Sequence, residues 1–183
     1  KFTESVILGE IVTHLIKSTG EQPVYLRELG GTRVLWNALI KGEIDIYPEY
    51  SGTISEEILS GEGVYSEEDI RQALAKHGIK MTNPLGFNNT YAIGMKEEVS
   101  ERLKIGKISD LRQHPDLKFG FGNEFMDRGD GWPTLRNDYH LPQQNVRGLD
   151  HDLAYRGLEK GTIHAIDIYS TDAKVRYYNL RIL

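Results

Sequence analysis

The tyrosines of this sequence are placed where a ligand could use them. The chain contains ten tyrosines, and several fall at the ends of predicted strands or in the turns that follow, which is where open α/β sheets bind ligands. An aromatic face attracts cations, with up to ~2 kcal/mol for each desolvated ring. A quaternary ammonium cannot donate a hydrogen bond, so a site for it depends on such rings. The candidates are Tyr47, Tyr50, Tyr91 and Tyr169. The alternative is that these rings serve packing alone.

One arginine could complete a site for a zwitterion. Arg128 lies in the polar segment 124–133, which leads into a predicted helix. A guanidinium presents a planar pair of N–H donors that matches the two oxygens of a carboxylate. The alternative is that Arg128 pairs within the protein, with Asp127 or Asp130. The residues alone leave both interpretations open.

Signatures of common enzyme classes are absent from the sequence. It contains no phosphate-binding loop, no full dinucleotide-binding glycine pattern, no nucleophile elbow and no zinc-binding HExxH motif. Segment 119–122 has paired glycines but lacks the third glycine and the acidic residue after it. His164, near Asp167 in an apolar strand, is typical of a structural histidine. Several carboxylates in loops are expected to be solvated or to cap helices, namely Glu49, Glu124, Asp127 and Asp130. We therefore predict no enzyme activity, no cofactor and no metal.

The composition is that of an α/β protein without a nucleic-acid partner. Of 183 residues, 39% are apolar and 27% charged, and 22 basic against 27 acidic residues give a net charge of -5. No basic patch is visible, so we predict no nucleic-acid binding. The lack of cysteine excludes disulfides and thiolate metal sites. No stretch approaches the ~20 apolar residues of a membrane helix. The chain begins inside a predicted helix, so we expect a leader or anchor to have been removed.

Helix and strand signals alternate along the chain. Apolar residues at helical spacing predict helices over 3–19 and 32–41, and Ser66, followed by three acidic residues, predicts the start of a third. Further helices are predicted over 97–104, 109–114, 131–139 and 150–160. Strands are predicted over 24–29, 44–47, 85–95 and 118–122, near 146, and over 163–169. This alternation predicts an α/β fold with mainly parallel sheets.

Six segments together resemble one known family across essentially the whole chain. They resemble the substrate-binding proteins of osmoprotectant ABC importers, the glycine betaine, carnitine and choline binders of the OpuAC or ProX type. The sequences Tyr-Pro-Glu-Tyr-x-Gly-Thr and Tyr-Ser-Thr-Asp are specific at this spacing. The segments are 1–4, 7–10, 29–32, 42–53, 124–133 and 169–172.

The resemblance implies a two-lobed periplasmic-binding-protein fold with mainly parallel sheets and a strand hinge. We expect lobe I to span 1–85 and lobe II to span 86–176. Residues 177–183 are predicted to form a hinge strand that returns to lobe I. Family members continue beyond such a strand, so we also expect lobe I to be incomplete without a C-terminal tail.

The resemblance also implies an aromatic cage for a quaternary ammonium, with polar groups for a carboxylate. Tyr50 and Thr53 match a ligand-contacting turn of lobe I, and Ser5 stands where the family commonly has a glutamine. Tyr91 and Tyr169 of lobe II match tyrosines of the family's cage. The loop that contains Phe125 and Arg128 matches the loop that meets the carboxylate end of the ligand. The predicted ligand-binding residues are Lys1, Ser5, Tyr50, Thr53, Tyr91, Phe125, Arg128 and Tyr169.

The predicted function follows from the resemblance. We expect an extracytoplasmic solute-binding component of an ABC importer, periplasmic or tethered to the membrane, that captures a quaternary-ammonium osmolyte such as glycine betaine. Its partners would be the transmembrane permease subunits. The alternatives are a ligand-sensing domain of a regulator and a binder of a different small zwitterion. Use of the same scaffold as an enzyme is disfavoured by the missing motifs.

Overall fold

The computed structural model describes residues 2–183 and divides into two compact units. The first ends at Phe87 and the second spans Asn88–Leu183. The first contains helices α1 (Thr3–Ser18), α2 (Thr32–Ile40), α3 (Ser51–Thr53) and α4 (Glu67–Lys76), with a π-helical turn at Ile54–Ile58. The second contains strands β1 (Tyr91–Lys96), β2 (Phe119–Gly122), β3 (Val146–Leu149), β4 (Ile166–Tyr169) and β5 (Leu180–Ile182). Its helices are α5 (Glu97–Leu103), a 3-10 turn at Ile108–Gln113, α6 (Asn123–Asp127), α7 (Trp132–Asp138), α8 (His151–Glu159) and α9 (Lys174–Tyr177).

Local capping chemistry sets the helix starts of the first unit. Ser5 lies in the first turn of α1, where its hydroxyl accepts from the Phe2 N–H (3.1 Å) and donates to the Phe2 carbonyl (2.8 Å). Ser66 caps α4 as predicted, since its hydroxyl accepts from the Asp69 N–H at 3.1 Å. These bonds satisfy groups that a helix end leaves without partners. The predicted starts of both helices are confirmed.

The two strands predicted in the first unit are wrong. Segments 24–29 and 44–47 contain turns, bends and irregular backbone, and no strand occurs within residues 2–87. A strand needs a neighbouring strand to pair its N–H and C=O groups, and no partner lies in this part of the chain. Several apolar side chains of these segments are accordingly exposed, namely Val24 at 84%, Leu26, Leu29 and Ile46. The hydrophobic core cluster of this unit contains Ile54 and Leu59, at and directly after the π-helical turn, and Ile70, Ala73 and Leu74 of α4.

The second unit contains two sheets. Strand β1 lies at the centre of a three-stranded sheet, between β4 and β5. Strands β2 and β3 form a parallel pair, and Phe119 of β2 also makes an isolated parallel bridge to Ala165, just before β4. Phe119 and Met95 are fully buried in the largest core cluster. The predicted α/β class is confirmed.

The expected parallel arrangement holds for only one of these sheets. Strands β2 and β3 are parallel, but β1 is antiparallel to both β4 and β5. Alternation predicts parallel strands when each helix crosses back between consecutive neighbours in one sheet. Strand β1 instead pairs with strands that lie some seventy or more residues further along the chain, a partner choice that alternation does not encode.

The unit boundary falls close to the predicted lobe boundary. The chain divides after Phe87, whereas lobe I was expected to end at residue 85. Strand β5, within the predicted hinge segment, groups with the second unit, where Gly94 pairs with Ile182 and Lys96 with Leu180. The lobe ranges and the return of residues 177–183 to lobe I stay predictions.

Candidate functional site

Two of the predicted cage tyrosines lie side by side in the second unit. Tyr91 begins β1 and Tyr169 ends β4, and the antiparallel register places them directly opposite each other. Their ring centroids are 5.0 Å apart at an interplanar angle of 44°, and their hydroxyl oxygens are 3.5 Å apart. Burial raises the pKa of both phenols. Both rings are therefore largely removed from water, which strengthens the attraction between a ring face and a cation.

Phe125 extends this pair to a group of three rings. It lies on the short helix α6, directly after β2, and its ring centroid is 5.1 Å from that of Tyr91. The ring of Phe121, which precedes α6, packs edge-on against Phe125 at 5.2 Å. This contact joins the ring group to the core of the unit and fixes the orientation of Phe125.

Arg128 lies beside the ring group and is paired within the protein. Its Nε donates to Asp130 Oδ1 at 2.8 Å and its Nη2 donates to Oδ2 at 2.6 Å. The guanidinium carbon is 5.5 Å from the centroid of Tyr91, and only 5% of the Arg128 side chain is exposed. Of the two internal pairings that the sequence left open, the structure contains the one with Asp130.

A close backbone contact at Gly131 constrains the loop that contains Arg128, and a substitution tests this constraint. A Cβ at Gly131 would lie 2.1 Å from the carbonyl oxygen of Phe125, whereas a Cβ at Gly129 would meet nothing within 4 Å. We expect Gly131→Ala to lower the free energy of unfolding by roughly 1–3 kcal/mol, because the backbone must shift to relieve the overlap. Gly129→Ala is the matched control and should stay within about 0.5 kcal/mol of the parent chain. Urea unfolding of both variants measures the difference, and equal stabilities would show that the loop is not constrained at Gly131.

The predicted residues of the first unit lie at the start of α1 and in the short helix α3 with the residue before it. The Tyr50 hydroxyl donates to Glu4 Oε1 at 2.5 Å, and the ring of Tyr50 is stacked with that of Phe2 at 6.1 Å. Thr53, half-buried, ends the short helix that follows Tyr50. Ser5 lies close in sequence, with its hydroxyl engaged at the start of α1.

The predicted ligand-binding residues thus divide between the two units. The structure brings Tyr91, Phe125, Arg128 and Tyr169 together in the second unit. The other predicted residues that the structure describes, Ser5, Tyr50 and Thr53, belong to the first unit, and Lys1 lies outside the described residues. Tyr47, the further tyrosine suggested by its position, is also in the first unit, where burial and the nearby Glu49 raise its pKa. Ligand contact by any of these residues stays a prediction.

A buried carboxylate lies two residues before Tyr169. The side chain of Asp167 is 1% exposed, and its Oδ1 accepts from the Gly122 N–H at 2.6 Å. Burial raises the pKa of Asp167, although the Gly122 N–H and nearby His151 act in the opposite direction. His164 accepts from the Lys118 N–H at 2.9 Å, and burial, followed by Lys118 and Arg102, lowers its pKa. The structural role predicted for His164 agrees with this backbone bond.

Next to this carboxylate is a polar network that the sequence did not predict. Asp172 Oδ2 accepts from the Tyr155 hydroxyl at 2.7 Å and lies 3.2 Å from His151 Nε2. Burial alone would raise the pKa of Asp172, but hydrogen bonds from His151, Tyr155 and the Lys174 N–H outweigh it and lower that pKa. The imidazole of His151 packs against the ring of Tyr169, with centroids 4.7 Å apart. His151 and Asp172 are 21 residues apart, so no local spacing signal links them.

The described part of the chain offers few other kinds of site. Within residues 2–183 no group of three or more His, Asp or Glu side chains is arranged to hold a metal ion. In the same residues, none of the helices combines the length and the apolar composition needed to cross a membrane.

Comparison with known proteins identifies relatives across the whole chain. Residues 1–183 match the family described as the substrate-binding domain of the ABC-type glycine betaine transport system. A relative named as an ergothioneine transport permease and binding protein, from Helicobacter pylori, is 30% identical over 189 residues. The carnitine transport binding protein OpuCC of Listeria monocytogenes is 28% identical over 193 residues. Each alignment covers 99% of this chain, but 34% and 62% of the respective relative.

The solved structures are consistent with these relatives. A crystal structure of a glycine betaine/carnitine/choline ABC transporter protein has a TM-score of 0.66 and 26% sequence identity, over 98% of this chain and 70% of that one. Its likeness confirms the periplasmic-binding-protein fold predicted from the sequence. The chain spans only about a third to three-fifths of the length of the two relatives above.

Proposed function

This chain belongs to the family of substrate-binding domains of ABC-type glycine betaine transport systems, and on that premise we propose that it binds a quaternary-ammonium osmolyte such as glycine betaine. The observation that carries the proposal is the ring group of the second unit. In this group the ring centroid of Tyr91 lies 5.0 Å from that of Tyr169 and 5.1 Å from that of Phe125, and the guanidinium of Arg128 lies beside the ring of Tyr91. No reaction is proposed, and binding is the whole of the activity.

The ring group suits the ammonium end of such a ligand. A trimethylammonium carries a spread positive charge on apolar methyl groups, so it is bound by ring faces and shape rather than by hydrogen bonds. Three rings at up to ~2 kcal/mol each supply up to ~6 kcal/mol toward binding. Burial of the methyl groups and contacts to the carboxylate must supply the rest of a binding free energy near -8 kcal/mol, or about micromolar affinity, against the cost of association. The two tyrosines keep their neutral form because burial raises their pKa values.

Arg128 suits the carboxylate end. Its burial means that a ligand carboxylate would meet the guanidinium in a site with little competing water, where charge-assisted hydrogen bonds are strongest. Asp130 already holds Nε and Nη2, which fixes the plane of the guanidinium in advance. We propose that a ligand carboxylate accepts hydrogen bonds from Arg128 either in addition to Asp130 or in its place. The strength of the Arg128–Asp130 pair then determines how much a carboxylate adds to the affinity of a ligand.

The residues of the first unit are proposed as a second contribution to binding. Tyr50 is oriented by Glu4 and Phe2, and Thr53 follows within one helical turn. Both carry a hydroxyl, and the ring of Tyr50 is stacked with that of Phe2, which suits an amphipathic ligand. Ser5 and Lys1 remain proposed contacts at the start of the chain. Alanine variants of Tyr50 and Thr53 should therefore weaken ligand binding.

We propose that transmembrane permease subunits of an ABC importer are the partners of the chain. The family match and the binding-protein relatives support this assignment. It implies a location outside the cytoplasm, periplasmic or tethered to the membrane. A binding protein working with a permease must release its ligand, so moderate affinity suits the role better than very tight binding.

A calorimetric titration tests the proposed function. After circular dichroism has established that the chain is folded, it is titrated with glycine betaine, carnitine, choline, ergothioneine and proline. Proline is the matched control, since it is a zwitterion without a quaternary nitrogen. Saturable binding of at least one quaternary ammonium, with none of proline, is the expected result. Binding of proline alone would indicate that the ligand is a different small zwitterion. If the folded chain bound none of the five compounds, ligand binding by these units would be contradicted.

A further inference from the structure

Tyr169 lies between two ring systems of different character. On one side is Tyr91, and on the other is His151, whose ring centroid is 4.7 Å away at an interplanar angle of 43°. His151 in turn packs edge-on against Tyr155 at 5.3 Å, and Tyr155 stacks with Tyr178 at 5.5 Å. The ring group thus continues without a break into the core next to α8. His151 contributes the one imidazole in this series of packed rings, and imidazole is the side chain whose ordinary charge change lies nearest neutral pH.

The imidazole of His151 lies between two carboxylates. Its Nε2 is 3.2 Å from Asp172 Oδ2, and its Nδ1 is 4.0 Å from Asp167 Oδ2. Nδ1 is buried and has no hydrogen-bond partner among residues 2–183, and 14% of the side chain is exposed. Asp172 also accepts from the Tyr155 hydroxyl. His151 is thus held in one orientation by Asp172 and by its ring contacts.

Charged residues that adjoin His151 and Asp172 have other partners. Asp150 caps α8 by accepting from the N–H groups of Asp152 and Leu153. Lys174 pairs with Asp152 and lies 5.2 Å from the ring centroid of Tyr155. His151 is the first residue of α8, where the helix dipole disfavours a cation. The carboxylates of Asp167 and Asp172 attract one.

The charge on His151 changes the environment of Tyr169. Beside a neutral imidazole, Asp172 keeps its net negative charge, because the Tyr155 hydroxyl and the Lys174 N–H that donate to it are neutral groups. This negative charge favours a cation bound at the ring group. An imidazolium neutralises Asp172, places a positive charge against one face of Tyr169, and repels a second cation nearby. Both effects act in the same direction, so protonation and cation binding oppose each other by linkage.

We propose that His151 is a positioning residue for Tyr169 and that its protonation weakens binding of a quaternary ammonium at the ring group. This inference rests on the proposed function and adds a regulation to it. Affinity is then higher at about pH 8 than at about pH 5.5, across the range in which histidine changes charge. Choline, a net cation, responds more than glycine betaine, whose carboxylate partly offsets the repulsion.

The test measures affinity at two pH values in three proteins. Calorimetry gives the affinity of the parent chain, His151→Gln and His14→Gln for choline and glycine betaine at about pH 5.5 and about pH 8. His14 is exposed on α1 of the first unit, so it is the matched control. We expect the parent and His14→Gln to bind choline about three- to tenfold more tightly at the higher pH, and His151→Gln to change by less than about twofold.

Three outcomes overturn the inference. Equal affinity at both pH values in the parent chain excludes the coupling while leaving the proposed function intact. Retention of the pH effect in His151→Gln assigns it to another group, with Asp167 the first candidate because burial raises its pKa. If neither ligand binds at either pH, the proposed function fails separately, and NMR of the Tyr169 ring protons decides the positioning role. Those resonances should shift with pH in the parent chain, and constant resonances would contradict it.

A measurement without any variant covers the case in which His151→Gln does not fold. The ring protons of His151 are followed by NMR across the pH range in the parent chain, with and without saturating choline. Linkage predicts that choline moves the midpoint of the His151 titration to lower pH. An unmoved midpoint with bound choline overturns the inference.

Discussion

Replacement of Tyr169 by alanine is expected to weaken binding of glycine betaine by at least about tenfold, or about 1.4 kcal/mol, because one face of the proposed cage is lost. The same loss is expected for Tyr91→Ala, since the two rings lie opposite each other in the register of β1 and β4. Calorimetric titration measures both affinities, and circular dichroism checks that each variant is folded.

Two controls separate the ring from the rest of the side chain. Tyr169→Phe keeps the ring and removes only the hydroxyl, which lies at a marginal 3.5 Å from that of Tyr91, so most of the affinity should remain. Tyr177→Ala removes a ring of the same unit that is 80% exposed, and affinity should be unchanged. Unchanged affinity in both Tyr91→Ala and Tyr169→Ala would remove the cage hypothesis.

Arg128→Ala is expected to separate ligands by whether they carry a carboxylate. Charge-assisted hydrogen bonds contribute about 1.5–3 kcal/mol, so affinity for glycine betaine and carnitine should fall by roughly ten- to hundredfold. Choline has no carboxylate and should lose less than about threefold, from the lost contact with Tyr91 alone. Parallel calorimetric titrations with the three ligands give the comparison.

Choline also serves as the internal control for folding in this experiment. A variant that binds choline normally has kept its ring group. Arg128→Lys adds a second control, because it retains the charge but loses the planar pair of donors, and it should recover only part of the affinity for glycine betaine. Equal losses for all three ligands in Arg128→Ala would make the Arg128–Asp130 pair a structural element of the loop.

Helix positions could be predicted from the sequence because their signals are local. The apolar spacing within α1, the Ser66 cap of α4 and Gly42, which follows α2 with φ of +71°, each act within a few residues. The signals for strands are not sufficient within a few residues. Segments 24–29 and 44–47 alternate as strands do, but a strand forms only where another part of the chain supplies its partner. The antiparallel pairing of β1 with β4 is likewise a contact between distant segments.

The residues of the candidate site likewise differ in how far the sequence could predict them. Tyr91, Phe125 and Tyr169 could be selected by residue type and by resemblance, and the structure brings these rings together. The pairing of Arg128 with Asp130 was one of two open alternatives, because residues one and two positions away are equally available in sequence. His151 could not be selected, since its partners Asp167 and Asp172 adjoin it only after β4 and α8 are formed.

The proposed binding mode requires that the rings of Tyr91, Phe125 and Tyr169 contact the quaternary ammonium of the ligand. Intermolecular NOEs between the methyl protons of bound glycine betaine and assigned aromatic protons detect this contact. We expect NOEs from the methyl protons to the rings of Tyr91 and Tyr169, together with an upfield ring-current shift of the methyl resonance. A saturated complex in which none of the three rings shows an NOE to the methyl protons would contradict this binding mode.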